Sequence, residues 1–390
     1  MRILMIHPHD LLTFPWTIRI VKLAETLARK GCTVTLCHIP NLARRKTGIT
    51  VRSGLPQSVR YVELAEGKNS LLANIKTVAA LAGAADLVHV QKCFMTAALP
   101  GIVAARLCNL PLHYDWDDDE SDLSRYWLSG LNRLKISAYE RILPKVVTTV
   151  STASICLHDK ALRFGALPED IFDVPVGTDL PEFDELKKRP VTLPAAISSC
   201  AYRMVFVGHL EDAHYGDLVL DEFAQVAVAR LDIGLIMIGG GSHQGELETR
   251  AAQLGLSARV WFTGYLPHEN VPAILSRAEI GIACLPDTPF ARAGSPIKVL
   301  EYMAAGLAVV ATAVGEVKRM LGDCGVLLPP GEKGSIARAI LELLDDPDRL
   351  ENMQQSSRAR VAQTYSWDRS ADNLLAAYVR GFSLRGRRDT

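Results

Sequence analysis

Short apolar runs alternate along the chain with stretches of helical period, and they do so in two successive series. Residues 2–6 read as a buried strand; Ile20, Leu23, Ala24, Leu27 and Ala28 then recur at helical spacing until Gly31, and residues 33–39 supply the next strand. Such a strand-helix-strand unit is the building block of a parallel sheet. Residues 87–90, 112–115 and 146–150 predict further strands, which gives a first domain over 1–180. Residues 181–201 are rich in Pro, Lys, Glu and Ser, lack an apolar period, and read as an interdomain linker. The second series has candidate strands at 204–207, 233–238, 260–262, 280–284, 308–311 and 325–328, and so a second domain over 202–365. Ser366 suits the cap of a last helix in which Trp367, Ala371, Leu374, Leu375 and Tyr378 share one stripe, so 366–390 reads as a C-terminal helix with a basic tail. The fold class is α/β, with two doubly wound Rossmann-like domains facing a central cleft at the C-terminal ends of their strands.

Composition narrows this picture only a little. The 43 basic and 43 acidic side chains cancel, so no global charge favours nucleic acid or an anionic surface. Cys32, Cys37, Cys93, Cys108, Cys156, Cys200, Cys284 and Cys324 form no Cys-x-x-Cys pair and read as reduced core thiols of a cytoplasmic protein. The apolar start, 1–6, is too short for a signal-peptide core, and no stretch reaches the roughly 20 apolar residues that span a bilayer.

The chemistry concentrates in residues 294–306, Gly-Ser-Pro-Ile-Lys-Val-Leu-Glu-Tyr-Met-Ala-Ala-Gly. Ser295 suits the N-cap of a helix, Pro296 its first position and Gly306 its left-handed stop. The free N–H groups of Ile297 and Lys298, the positive end of the helix dipole and the Lys298 ammonium would then converge, which describes an anion site. Glu301 follows one turn on along the same face, where a carboxylate can accept from both hydroxyls of a ribose. An ordinary capped helix with one surface Glu is the competing explanation.

This segment resembles the donor-site signature of the family 4 retaining glycosyltransferases of the GT-B fold. The resemblance extends over nearly the whole chain, through residues 1–6, Val205-Phe-Val-Gly-His-Leu210, Trp261-Phe-Thr-Gly-Tyr-Leu-Pro267 and Tyr365-Ser-Trp-Asp368. It implies a GT-B fold, a nucleotide diphosphate sugar as donor and no metal or other cofactor. It also implies front-face attack, in which the departing phosphate takes the acceptor proton. Gly294, Ser295, Ile297, Lys298 and Glu301 would hold the donor, with Gly208 and Leu266 in neighbouring loops. The last helix would cross back to the first domain.

Two departures from the family pattern stand out. Relatives grip the phosphates with an Arg and a Lys in the loop after the first strand of the second domain; here His209 and His214 stand in those places. The first of the paired family glutamates is replaced by Ala293, with Arg292 and Lys298 near enough to compensate electrostatically. In the first domain, Asp115-Trp-Asp-Asp-Asp-Glu120 is the densest acidic run. The resemblance places Asp117 as a sugar or acceptor contact, with Asp118 second and on the acceptor side; by its residues alone the run reads as a divalent-metal site or as a solvated loop. His7 and His9 stand where the family often has a Gly-Gly loop, and they line the acceptor side or are polar surface. Gly239-Gly-Gly241 permits close backbone approach.

The reading is a retaining, metal-independent glycosyltransferase of the hexosyltransferase type, with Asp117 and Lys298 as its catalytic pair. It would move a sugar to an acceptor hydroxyl in surface glycan or glycolipid synthesis. Its partners are a nucleotide-sugar donor and a glycan or lipid-linked acceptor, with no nucleic acid. The expected location is the cytoplasm, free or peripheral on the inner membrane face; Arg133, Lys135, Arg141 and Lys145 with Leu134, Ile136 and Leu143 read as an ordinary docked helix or as a surface that touches an anionic membrane. Alternatives are a sugar-nucleotide epimerase or hydrolase on a similar scaffold, and a pseudoenzyme that binds nucleotide without turnover.

Overall fold

The structure, a computed structural model, describes residues 1–67, 69–126, 128, 130–211 and 215–386. It divides into two compact units: Met1–Gly177 with Arg292–Ser295 and Trp367–Thr390, and Thr178–Ala291 with Pro296–Ser366.

The first unit holds β1 (Arg2–His7), β2 (Thr33–His38), β3 (Arg60–Glu63), β4 (Leu87–Gln91), β5 (Leu112–Trp116), β6 (Thr149–Thr152) and β7 (Ile171–Asp173). They form a wholly parallel sheet in the order β3-β2-β1-β4-β5-β6-β7. The order reverses between β1 and β4, and the C-terminal edge at such a reversal is where doubly wound sheets take ligands. Two strands escape the apolar pattern, because β3 and β7 are short edge strands with little buried surface. The strand expected at 146–150 is displaced. The helix Gly130–Val146 continues through Pro144, and β6 begins only at Thr149.

The second unit holds β8 (Tyr202–Val207), β9 (Ile233–Ile238), β10 (Val260–Phe262), β11 (Ile280–Ala283), β12 (Ala308–Thr312) and β13 (Val326–Leu328). Their order is β10-β9-β8-β11-β12-β13, again all parallel, with the reversal between β8 and β11. The core on one face of this sheet joins Phe206, Leu220, Phe223, Leu235, Met237, Ile280 and Ile340, and because β9 and β12 are buried at every residue, on both faces, they read as continuous apolar runs.

Residues 181–201 are not a free linker. They take in the helix Ala195–Ser198 and all but the first residue of the helix Leu180–Leu186, and the side chain of Asp179 accepts from Glu182 N at 3.1 Å. Phe183 and Ile197 are buried, and Asp184 pairs with Arg358 at 2.7 Å, so the segment folds as part of the second unit. Two apolar anchors are too few to make a period, which is why the stretch resembles a linker. The final helix runs from Trp367 to Gly386 and belongs to the first unit, where Ala371, Leu374 and Tyr378 are buried against β5, β6 and β7. Arg380 in its last turns pairs with Asp170 at 2.7 Å, so the basic end is helical and tied down through that residue.

Candidate active site

The donor-side geometry rests on the helix Ile297–Ala305, which follows β11 and ends at Gly306 in the left-handed conformation (φ 73°). Its start differs from the expectation. Pro296 occupies the N-cap position with extended backbone and no side-chain cap, while the buried Ser295 hydroxyl has no hydrogen-bond partner among the described residues. The helix therefore begins one residue later than the Ser-Pro signal suggests, and the N–H groups of Ile297 and Lys298 have no protein acceptor among the described residues.

Tyr302 fixes where this helix lies. Its ring packs on Gly281 of β11, where an added Cβ would stand 2.6 Å from the ring, and the Val207 N–H at the end of β8 donates to its hydroxyl at 2.7 Å. Burial pushes the phenol well above its ordinary value, so the group stays neutral. One turn earlier on the same face, Lys298 brings its ammonium over the Phe206 ring at 4.7 Å. A Cβ on Gly208 would lie 3.1 Å from that nitrogen and 2.8 Å from Phe206, so only glycine leaves this corner open. Among the described residues no carboxylate forms an ion pair with Lys298. Burial lowers the amine to about 8, with Cys284 and Glu301 partly opposing the shift.

The loop after β8 is locked to the loop after β9. Gly208 N donates to Ile238 O at 3.0 Å and Leu210 N to Gly240 O at 3.1 Å. A Cβ on Gly239 or Gly241 would stand 2.0 Å from a backbone oxygen of Gly208 or Leu210, so the glycine run is a packing requirement of the phosphate-side loop. His209 sets its ring edgewise to Tyr265, 6.1 Å between centroids. His214 lies outside the described residues. Leu266 and Gly294 are half-buried, and Arg292 is exposed.

Glu301 is 7% exposed, and its carboxylate is hydrogen-bonded to the imidazole of His268. One carboxylate oxygen is thus already shared, contrary to the expectation that both are open to a ligand. His268 is the residue that sequence reasoning missed. It follows directly on the Gly264–Pro267 loop and opens the short helix His268–Asn270, so its position beside a recognised motif was the available signal.

In the first unit the acidic run is neither a solvated loop nor a set of free ligands. Asp115 is fully buried and receives Arg19 at 2.9 and 2.7 Å, Gln91 at 2.8 Å and Ser151 at 2.5 Å. Burial opposes its charge, yet Arg19 holds the carboxyl well below the usual range. Asp119 caps the turn at Asp122 N (3.1 Å) and pairs with Lys160 at 2.7 Å. Asp117, Asp118 and Glu120 converge on Lys92. Burial raises the Asp117 carboxyl to about 6, with Lys92 opposing and Asp118 adding to the rise.

His7 closes β1 fully buried, neither ring nitrogen having a partner among the described residues; burial drops its pKa far below the ordinary value. His9 is half-buried between Phe14, Trp16 and Phe94, with ring centroids 4.9–5.9 Å away, and burial lowers it to about 3. Both are neutral rings rather than polar surface, His9 among aromatic side chains and His7 near His9, Gln91 and Lys92. Ala293 is also fully buried, its carbonyl accepting from Ser154 Oγ at 2.6 Å.

Two doubly wound parallel sheets, one of them beside a helix that carries Lys298 and Glu301 one turn apart, form the architecture that solved glycosyltransferases of the GT-B fold share with this chain. Residues 201–346 match the family model described as glycosyl transferases group 1. The chain is 25% identical to the MMP alpha-(1->4)-mannosyltransferase of Mycolicibacterium hassiacum, over 89% of this chain and 82% of that one. It is 29% identical to the 2-deoxystreptamine glucosyltransferase of Streptomyces kanamyceticus, over 76% and 78%. The Anabaena HepE structure, solved with UDP and glucose, superposes with a TM-score of 0.74 at 18% identity and covers 96% of this chain and 98% of its own. Together these likenesses show a glycosyltransferase of the GT-B fold, similar to the group 1 family over residues 201–346, with sugar transfer in glycan or glycolipid synthesis as its function.

Two predictions follow from the donor side. The Lys298 amine is charged below about pH 8 and neutral above it, and a diphosphate selects the charged form. Affinity for a nucleoside diphosphate should therefore fall as pH rises from about 7 to 9.5, and Lys298→Met should bind about tenfold weaker at neutral pH and lose that slope. Calorimetry across the range checks both. Glu301→Ala should weaken the same binding about ten- to a hundredfold, the loss of charge-assisted hydrogen bonds of roughly 1.5–3 kcal/mol. Glu301→Gln should lose less, and His268→Ala, acting only through the carboxylate, less again. A folded Glu301→Ala protein with unchanged affinity rejects a ribose role, and the thermal midpoint verifies the fold.

Proposed function

We propose that the enzyme transfers a sugar, with retention of anomeric configuration, from a nucleotide diphosphate sugar to a hydroxyl of a glycan or lipid-linked acceptor, without a metal. The observation that carries this reading is the Lys298 ammonium, which lies beside Gly208 and has no ion-pair partner among the described residues, together with the N–H groups of Ile297 and Lys298, which have no protein acceptor there. A leaving diphosphate gains negative charge as the C1–O bond breaks, and these groups stand ready to stabilise it. The acceptor oxygen bonds to C1 on the same face, and its proton passes to the departing phosphate oxygen. Glu301 holds the ribose through its open oxygen, oriented by His268. His209 adds a phosphate contact, Leu266 lies toward the base, and Gly294, Ser295 and Arg292 border the donor. Asp117 contacts the sugar, while Asp118, His7 and His9 serve the acceptor side.

A lipid-linked acceptor is supported by the helix Gly130–Val146. Leu131, Leu134 and Ile142 are 75%, 65% and 49% exposed along one face, with Arg133, Lys135, Arg141 and Lys145 exposed around them. Ile136 and Leu143 belong instead to the buried core, so the apolar stripe differs from the one the sequence suggested. Apolar residues flanked by basic ones suit an anionic membrane surface. Among the described residues no helix is long and apolar enough to cross a membrane.

Incubating the protein with a panel of nucleotide diphosphate sugars and acceptors, and reading the anomeric configuration of the product by NMR, tests the reaction. Retention with turnover unaffected by EDTA is expected; inversion, or activity lost to chelator and restored by manganese, overturns it. Separately, the double variant Leu131→Asp/Leu134→Asp should no longer sediment with anionic vesicles yet should retain activity on a soluble acceptor.

A further inference from the structure

The acidic run of the first unit is built around a lysine. Lys92 directly follows β4 and adopts φ +66°, a conformation uncommon in residues other than glycine and tolerated only where the surroundings hold it. Its N–H donates to Asp115 O at 3.2 Å, and its side chain is 2% exposed. The ammonium lies 2.5 Å from Glu120 Oε1, 2.8 Å from Asp118 Oδ2 and 3.2 Å from Asp117 Oδ1. The last of these lacks hydrogen-bond geometry, which leaves the buried Oδ1 of Asp117 without a hydrogen-bond donor among the described residues.

Ligand atoms of the same three carboxylates lie within 4.8 Å of one another, the kind of oxygen cluster that a hard divalent cation takes. Here a lysine ammonium fills the centre. Burial works against its charge, but Asp117, Asp118 and Glu120 outweigh it and raise the amine well above its ordinary value. Two charged groups flank Asp117 besides Lys92 and Asp118, namely Asp115 and Arg19. Asp115 and Asp119 have partners of their own in Arg19 and Lys160, so the run sorts its carboxylates to separate cations.

We propose that Lys92 is the positioning residue for Asp117, its ammonium occupying the centre of an oxygen cluster of the kind a divalent cation takes and holding the Asp117 carboxylate for its sugar contact. This rests on the sugar-contact reading of Asp117. A built-in cation gives the loop a fixed charge that no chelator removes, and the strained backbone of Lys92 places it there.

The test removes the ammonium and offers manganese(II) in its place. Lys92→Ala should bind manganese about tenfold more tightly than the wild type by calorimetry, since the three oxygens are then vacant. Its kcat should fall about a hundredfold with the donor KM nearly unchanged, as expected for a misaligned group, and should recover in part on adding manganese. Equal manganese affinity in both proteins, or a folded variant with wild-type kcat, overturns the proposal. Should Lys92→Ala fail to fold, Lys92→Ala/Glu120→Gln buries one fewer charge, and wild-type kcat in that protein would be equally decisive. Asp117→Ala with full activity would reject the sugar-contact reading, whereas manganese binding by the Lys92 variant does not depend on it.

Discussion

The docking of Tyr302 between Gly281 and the Val207 N–H is the constraint on which the donor side depends. It joins the helix Ile297–Ala305 to the end of β8 and the first half of β11, the two strands at which the sheet order reverses. With the ring seated on a glycine and its hydroxyl bonded to backbone, the helix has one register against the sheet. Lys298 is then carried over Phe206 and Glu301 toward His268 by helical spacing alone. The glycines after β8 and β9 extend the same logic, since they let two backbone loops meet where side chains would collide and so leave the corner beside Lys298 clear.

Charge is distributed differently in the two units. In the first, carboxylates at the C-terminal strand ends are neutralised internally: Asp115 by Arg19, Asp119 by Lys160, and Asp117, Asp118 and Glu120 by Lys92. Removing a cation from such a buried set would leave charge uncompensated, which is why these groups occur as pairs. In the second, Lys298 is desolvated with no carboxylate in ion-pair contact among the described residues, and its amine is accordingly depressed. A desolvated cation without a counterion is a poor structural element and a good anion site. That contrast, more than any motif, supports placing the leaving group beside Lys298.

Much of this architecture is legible along the chain, because a strand buried on both faces must be continuously apolar. Thus β1, β8, β9, β11 and β12 stand out as short apolar runs, and Gly306 marks a helix stop that only a residue tolerant of positive φ can make. The edge strands β3 and β7 bury too little to leave a pattern, and 181–201 folds on two apolar anchors that no periodicity could reveal. The candidate site divides the same way. Lys298 and Glu301 are separated by local helical geometry, so their common face follows from their spacing.

His268 and Lys92 find their carboxylates across 33 and 25–28 positions, and nothing in a linear pattern signals such meetings. The identity of a side chain and its place in a strand or helix are local properties, determined by the order of residues. Whether Asp117 meets water, a metal or the ammonium of Lys92 depends on which strand ends the sheet brings together. That was decided by the placement of β4 beside β5 and by burial that makes an unpaired charge too costly to keep.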